Sequence, residues 1–279
     1  MIAYHRPRSL EEALAIRAAR DVAVIAGGTD IYPAAAGRRA WGDPTHKDVL
    51  DISAIPGLNR IEETEAGWRI GCLVTWSALR AAPLPPLFDG LKAAAKEVGG
   101  AQVQNRGTIA GNLVTASPAG DGIPNLLVLD AHVEIASPAG LRRVTVGEFL
   151  TGYRSTGLRA EELVTALLVP RLEGARSGFR KLGARRYLVI SIAMAAGVLA
   201  CEGGRITEAR LAVGACSAVA QRLRLLEVAL RGVRLHEAAD VVAPEHFERL
   251  RPIDDIRASA EYRRRVAKQA VRDLLRALA

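Results

Sequence analysis

The sequence predicts an α+β chain in two parts: a mixed α/β region over residues 1–172 and a smaller α+β region over residues 173–279. Three observations predict it. Short Val- and Ile-rich runs alternate with helical patterns early in the chain, whereas strand patterns later follow one another before two helical patterns. Pro170 and Gly178 bracket the point of change. No internal repeat, low-complexity tract or long linker interrupts either part.

The elements follow in order. "SLEEALAIRAAR" opens a helix, with Ser9 and Glu12 spaced as a capping box. "DVAVIAGGTDIYPAAAG" reads as a buried strand, a double-glycine turn and a helix start. "DVLDIS" is a strand. "RIEETEAGWRIGCLVTWSAL" reads as two strands about a glycine turn, then a helix from Thr75. Leu87 to Val98 has helical period, residues 121–130 read as a buried turn and helix, and "HVEIAS" is a strand. "ELVTALLVP" is a strand that Pro170 closes. "FRKLGARRYLVISIAMAAGVLACEGGRITEARLAVGACS" predicts three strands, with a turn at Gly203-Gly204. Helices are expected near 220–231 and 259–278.

Composition narrows the function. The net charge is +8, but the arginines are spread along the chain, and no basic run is interleaved with aromatics as base stacking requires. Nucleic acid is therefore not expected as a partner. The densest run, Tyr262 to Arg276, alternates with apolar residues at helical spacing and reads as a solvated helix face. The three cysteines, Cys72, Cys201 and Cys216, form no CxxC and are expected to be small buried hydrophobes. The five histidines, His5, His46, His132, His236 and His246, lack metal-ligand spacing. The N-terminus carries no apolar stretch of the signal-peptide kind, and no run is long enough to span a bilayer, so a cytoplasmic protein is expected.

Two glycine motifs carry the chemistry. In "VIAGGTD", a strand runs into Gly27-Gly28, and Thr29 and Asp30 open a helical turn. Such a turn lets successive N–H groups face an anion, helped by a helix N-terminus. It is neither a GxGxxG nor a Walker loop, and on its own it is equally a plain turn with Asp30 as helix cap. The second motif, "TIAGNLVTASPAGD", gathers Thr108, Asn112, Thr115, Ser117 and Asp121 around Ala110, Gly111 and Gly120. Either a ligand lies against its backbone, or its polar side chains satisfy one another.

Taken together, "AGGTD", "DISAIPGLNRI", "IGCLVTWSAL", "TIAGNLVTASPAGDGIPNLLVLDA", "FRKLGARR…SIAM" and "LAVGACSAVAQR" resemble the FAD-binding medium subunits of the molybdenum hydroxylases, the family of xanthine dehydrogenase and aerobic carbon monoxide dehydrogenase, end to end. The resemblance implies a two-subdomain FAD-binding domain of the PCMH/VAO-like type, with subdomains of about 1–56 and 57–172. The C-terminal domain, 173–279, would pair a three-stranded antiparallel sheet with a helix bundle, as in the CO dehydrogenase flavoproteins. It places Ile25, Ala26, Gly27, Gly28, Thr29 and Asp30 around the FAD pyrophosphate, lines the cofactor with Thr108, Gly111, Asn112 and Thr115, and sets Asp121 on the ribose or ribityl side.

The resemblance further implies non-covalent FAD, since "AGGTD" carries no histidine for attachment. Molybdopterin would lie on a large partner subunit and [2Fe-2S] clusters on a small one, in a heterotrimer that passes electrons to NAD+ or another acceptor. The C-terminal region or "RSTGLRAEEL" would supply docking surface. Two departures stand out: Ala110 where relatives carry glycine, and Gly120 where serine is common. With FAD as the agent of electron transfer, no catalytic triad or metal site is expected on this chain. The alternative is a self-sufficient flavin-dependent oxidoreductase acting on a small organic substrate.

Overall fold

A computed structural model describes residues 3–43 and 47–279, so His46 lies outside the described residues. In chain order the elements are β1 (Tyr4–His5), α1 (Leu10–Ala19), β2 (Val22–Ile25), α2 (Ile31–Ala40), β3 (Asp48–Asp51), β4 (Ile61–Thr64), β5 (Gly67–Gly71), α3 (Trp76–Ala81), α4 (Asp89–Glu97), α5 (Ala101–Arg106), α6 (Ile109–Thr115) and α7 (Gly122–Val128). There follow β6 (His132–Ser137), β7 (Gly140–Thr145), α8 (Val146–Phe149), β8 (Leu150–Gly152), β9 (Ser155–Thr156), β10 (Leu163–Pro170), β11 (Arg176–Leu182), β12 (Ala193–Glu202), β13 (Arg205–Gly214), β14 (Gln221–Arg222), α9 (Arg224–Ala229) and α10 (Ala260–Leu278).

The three main sheets occupy successive stretches of chain. The first is parallel, ordered β1-β3-β2. The second is antiparallel and five-stranded, β4-β5-β10-β6-β7. The third is antiparallel, β11-β12-β13-β14, so the expected three strands gain a two-residue fourth. Gln221 and Arg222 are too short a pair for a hydrophobic period to show.

Local signals account for several boundaries. Thr75 Oγ1 accepts from Ala78 N and starts α3. Ser9 Oγ accepts from Glu12 N, but the Glu12 carboxylate accepts from Arg8 N, so only half of the expected capping box forms. Strand β12 reads as one unbroken apolar run because both its faces are buried. Met194, Ala196, Val198 and Ala200 face the core shared with the earlier sheets. Ala193, Ala195 and Leu199 face a second core with α9 and α10. Gly178 and Gly197 pair across β11 and β12. A Cβ on either would approach the Leu274 methyls of α10 to 2.8 and 3.1 Å, so two bare backbones form the saddle that seats the helix.

Two expectations need correction. The Tyr262–Arg276 run is not a wholly solvated face: Arg263 is 3% exposed. It pairs with Asp255 at 2.7 Å and donates to the carbonyls of Ile192 and Ala215, tying α10 to the sheet below it. Cys72 and Cys216 are buried as expected, but Cys201 is exposed where β12 runs out of the core.

Candidate cofactor cavity

The two glycine motifs converge on one cavity of about 490 Å³. Strand β2 delivers the first. Val22, Val24 and Ala26 alternate onto the face that lines the cavity, which turns Ile25 the other way into buried packing. Gly27, Gly28, Thr29 and Asp30 then line the cavity as the chain turns into α2. Gly28 has φ +74°, a conformation that favours glycine. Thr108 delivers the second motif, its Oγ1 accepting from Gly111 N to cap α6. Thr108, Ala110, Gly111, Asn112 and Thr115 line the same cavity.

The loops touch. A Cβ on Gly27 would stand 2.0 Å from the carbonyl oxygen of Arg106, so backbone meets backbone there. Thr115 Oγ1 donates to Asp30 Oδ2 at 3.2 Å, bridging the motifs. Asp30 occupies the cap position of α2 yet makes no capping bond. Its carboxylate serves the bridge instead.

The residues fit a dinucleotide pyrophosphate. The backbone N–H groups of Gly27, Gly28, Thr29, Asp30 and Ile31 find no acceptor among the described residues. Five successive donors without internal partners, beside glycines and ahead of a helix, make an anion cradle. The rest of the wall is largely apolar: Ile52, Trp76, Val98, Val103, Val114, Leu158, Leu163 and Val164. Apolar walls with a few convergent donors suit a large, flat cofactor. Burial pushes the Cys72 thiol in this wall up to about 12, which makes it an inert surface.

Asp121 does not line the cavity. It is 4% exposed, and both its carboxylate oxygens are taken. Lys181 Nζ lies 2.6 Å from Oδ2, and Ser191 Oγ donates to Oδ1 at 2.6 Å. Burial raises the carboxyl above its ordinary value, against the pull of Lys181 and Ser191. This trio pins the end of β11 and the approach to β12 to the start of α7. The sequence contained Lys181 and Ser191, but no local pattern linked them to Asp121 across 60 and 70 residues.

The small residues of the second motif serve two masters. Ala110 and Gly111 border the cavity. Gly122, just beyond the motif, leaves room for protein: a Cβ there would meet the Trp76 ring at 2.8 Å and Asn112 Oδ1 at 2.9 Å. Asn112 Oδ1 accepts from Gly122 N, which leaves its amide nitrogen for the cavity. Trp76 and Arg17 are lining residues that the sequence did not single out. The Thr75 cap fixed where α3 starts, but not which way Trp76 faces.

No helix among the described residues is long and apolar enough to cross a membrane. Residues 1–172 match the family described as the FAD binding domain in molybdopterin dehydrogenase, and residues 179–278 match the CO dehydrogenase flavoprotein C-terminal domain. The nicotine 6-hydroxylase medium subunit of Paenarthrobacter nicotinovorans is 32% identical, over 97% of this chain and 95% of that one. The carbon monoxide dehydrogenase medium chain of Hydrogenophaga pseudoflava is 30% identical, over 98% and 96%. Among solved structures, reconstituted CO dehydrogenase from Oligotropha carboxidovorans superposes with a TM-score of 0.90 at 27% identity, covering 100% of this chain and 99% of that one.

Proposed function

The chain belongs to the family of FAD-binding medium subunits of molybdopterin dehydrogenases, and from that membership we propose that it holds FAD non-covalently between its two glycine motifs as the electron-transfer subunit of a cytoplasmic heterotrimer. Its partners would be a molybdenum-binding large subunit with molybdopterin and a small subunit with [2Fe-2S] clusters. The two relatives are, by name, the medium subunit of a nicotine 6-hydroxylase and the medium chain of a carbon monoxide dehydrogenase. In this reading residues 1–172 form the FAD-binding domain, divided near residue 56, and residues 173–279 form the C-terminal domain.

When bound, FAD supplies the redox chemistry, taking electrons from the clusters and yielding them to NAD+ or another acceptor. The chain's own residues bind and orient. Gly27 to Ile31 offer five N–H donors to the pyrophosphate, and Thr29 and Asn112 add side-chain donors beside it. Trp76 and the valines of the wall exclude water. Asp121, with Lys181 and Ser191, stabilises the fold beside the cavity rather than reaching into it.

One observation carries the reading: the run of N–H groups at Gly27–Ile31, without acceptors among the described residues, lies in a loop that lines the same cavity as the second motif and meets the chain before it in a close backbone contact. Flavin-free protein titrated with FAD tests it. The proposal requires saturable binding of about one FAD per chain with quenching of flavin fluorescence. Protein that stays colourless at saturating FAD, alone and in the complex in which it purifies, contradicts it.

A further inference from the structure

Arg17 lies in the last turn of α1 and lines the cavity. It is the one cationic side chain in that wall among the described residues. Its Nη1 donates to the Val22 carbonyl at 2.7 Å. Its Nε is buried with no acceptor, and no carboxylate pairs with it among the described residues. A guanidinium carries five N–H donors in a rigid fork, so most of this fork lacks a protein partner. The buried Nε is the telling one, since a buried donor is rarely left so unless water or a ligand completes it.

The position of the fork decides what it would meet. Val22 opens β2, and the Gly27-Gly28 turn follows its end. At about 3.3 Å per residue, the Val22 carbonyl lies roughly 15 Å along the strand from that turn. A phosphate cradled at the turn is out of reach. Between the two run Val22, Val24 and Ala26, with Ile52 beside them, all apolar. The fork thus closes an apolar stretch that starts at the anion cradle. A flat heteroaromatic ring with acceptor nitrogens on its edge matches those walls, whereas a second anion would find no other donor there.

We propose that Arg17 is a cofactor-binding residue that recognises the purine ring of the dinucleotide, donating to its ring nitrogens. The assignment rests on the reading that the cavity holds FAD. It makes Arg17 a specificity determinant for FAD over FMN, which lacks the purine.

The test uses the full chain with whatever subunits purify with it, stripped of flavin. Arg17→Gln keeps a polar, uncharged side chain but loses the fork and its charge. FAD, ADP, FMN and inorganic pyrophosphate are titrated into wild type and variant. FAD and ADP should weaken together, by about 10- to 100-fold, the range for hydrogen bonds from a charged donor. FMN and pyrophosphate should bind as they do to wild type. A folded variant with wild-type affinity for FAD and ADP overturns the assignment, as does a parallel loss of FMN or pyrophosphate. If Arg17→Gln does not melt cooperatively, Arg17→Lys carries the same comparison, since its single ammonium cannot replace the fork. Wild-type protein that takes up no FAD overturns both the flavin reading and this assignment. Normal wild-type uptake with an indifferent Arg17 variant overturns the assignment alone.

Discussion

Gly27 is the tightest point of the proposed cradle, and Gly27→Ala tests whether that tightness is needed. The added methyl would lie 2.0 Å from the Arg106 carbonyl oxygen, 2.7 Å from its carbon and 2.9 Å from Gly107 Cα. All three are backbone atoms, so no side chain can swing aside. Ordinary contact distances are about 3.5 Å, so the two loops must part by more than about 1 Å. Overpacking of this kind costs about 1–3 kcal/mol. For a chain of this size that lowers Tm by roughly 2–5 °C. The parting also widens the gap between the N–H cradle and the second motif, and each 1.4 kcal/mol lost there weakens FAD about tenfold. Differential scanning fluorimetry and flavin-fluorescence titration read the two effects separately. Gly37→Ala is the control: nothing lies within 4 Å of its added methyl. Being inside α2, it should stabilise by up to about 1 kcal/mol and leave FAD binding alone. A Gly27→Ala protein with wild-type Tm and FAD affinity would refute the reasoning.

Asp121→Ala leaves the buried Lys181 ammonium without its carboxylate, a loss of about 3–5 kcal/mol in urea unfolding. Because both Asp121 oxygens are taken by Lys181 and Ser191 and the residue does not line the cavity, the folded variant should bind FAD nearly as wild type does; a selective loss of FAD affinity would instead support the cofactor-contact role that the family resemblance implies. Asp255 is held down to about 2, because the Arg257 and Ala258 N–H groups and the Arg263 guanidinium outweigh the opposing push of burial. Its folded value lies below the unfolded 3.8, so its stabilisation is present above that value and is lost as the pH falls from about 4 to about 2. Asp255→Asn should lower Tm at neutral pH and flatten that acid limb, and an unchanged limb would count against the pairing. Ellman's reagent should titrate Cys201 in the native protein and all three thiols in denaturant. Burial pushes Cys72 and Cys216 up to about 12 and keeps both from reacting while folded.

Much of this architecture was legible because its signals are local. The Thr75 cap, the Pro170 stop of β10 and the period of "HVEIAS" each lie within a few residues of what they specify. The cavity was legible at Ala26 to Asp30 and Thr108 to Thr115 because glycine and short polar residues are unusual beside buried strands. Asp121 sits at the far end of the same motif, which lines the cavity at one end and enters the interior at the other. Only the fold shows that Lys181, on β11, and Ser191, just before β12, claim its oxygens. Arg17 looked like an ordinary last-turn arginine of a surface helix, which a helical pattern cannot distinguish from one that leans over a cavity. Arg263 was hidden in the same way among exposed neighbours in α10.

The most direct measurement is a crystal structure of the chain, in its complex, grown with FAD. The account predicts the pyrophosphate within hydrogen-bond distance of the Gly27–Ile31 N–H groups, with Thr108 to Thr115 on its other side. Flavin density anywhere else, or side chains filling that space at saturating FAD, would contradict it.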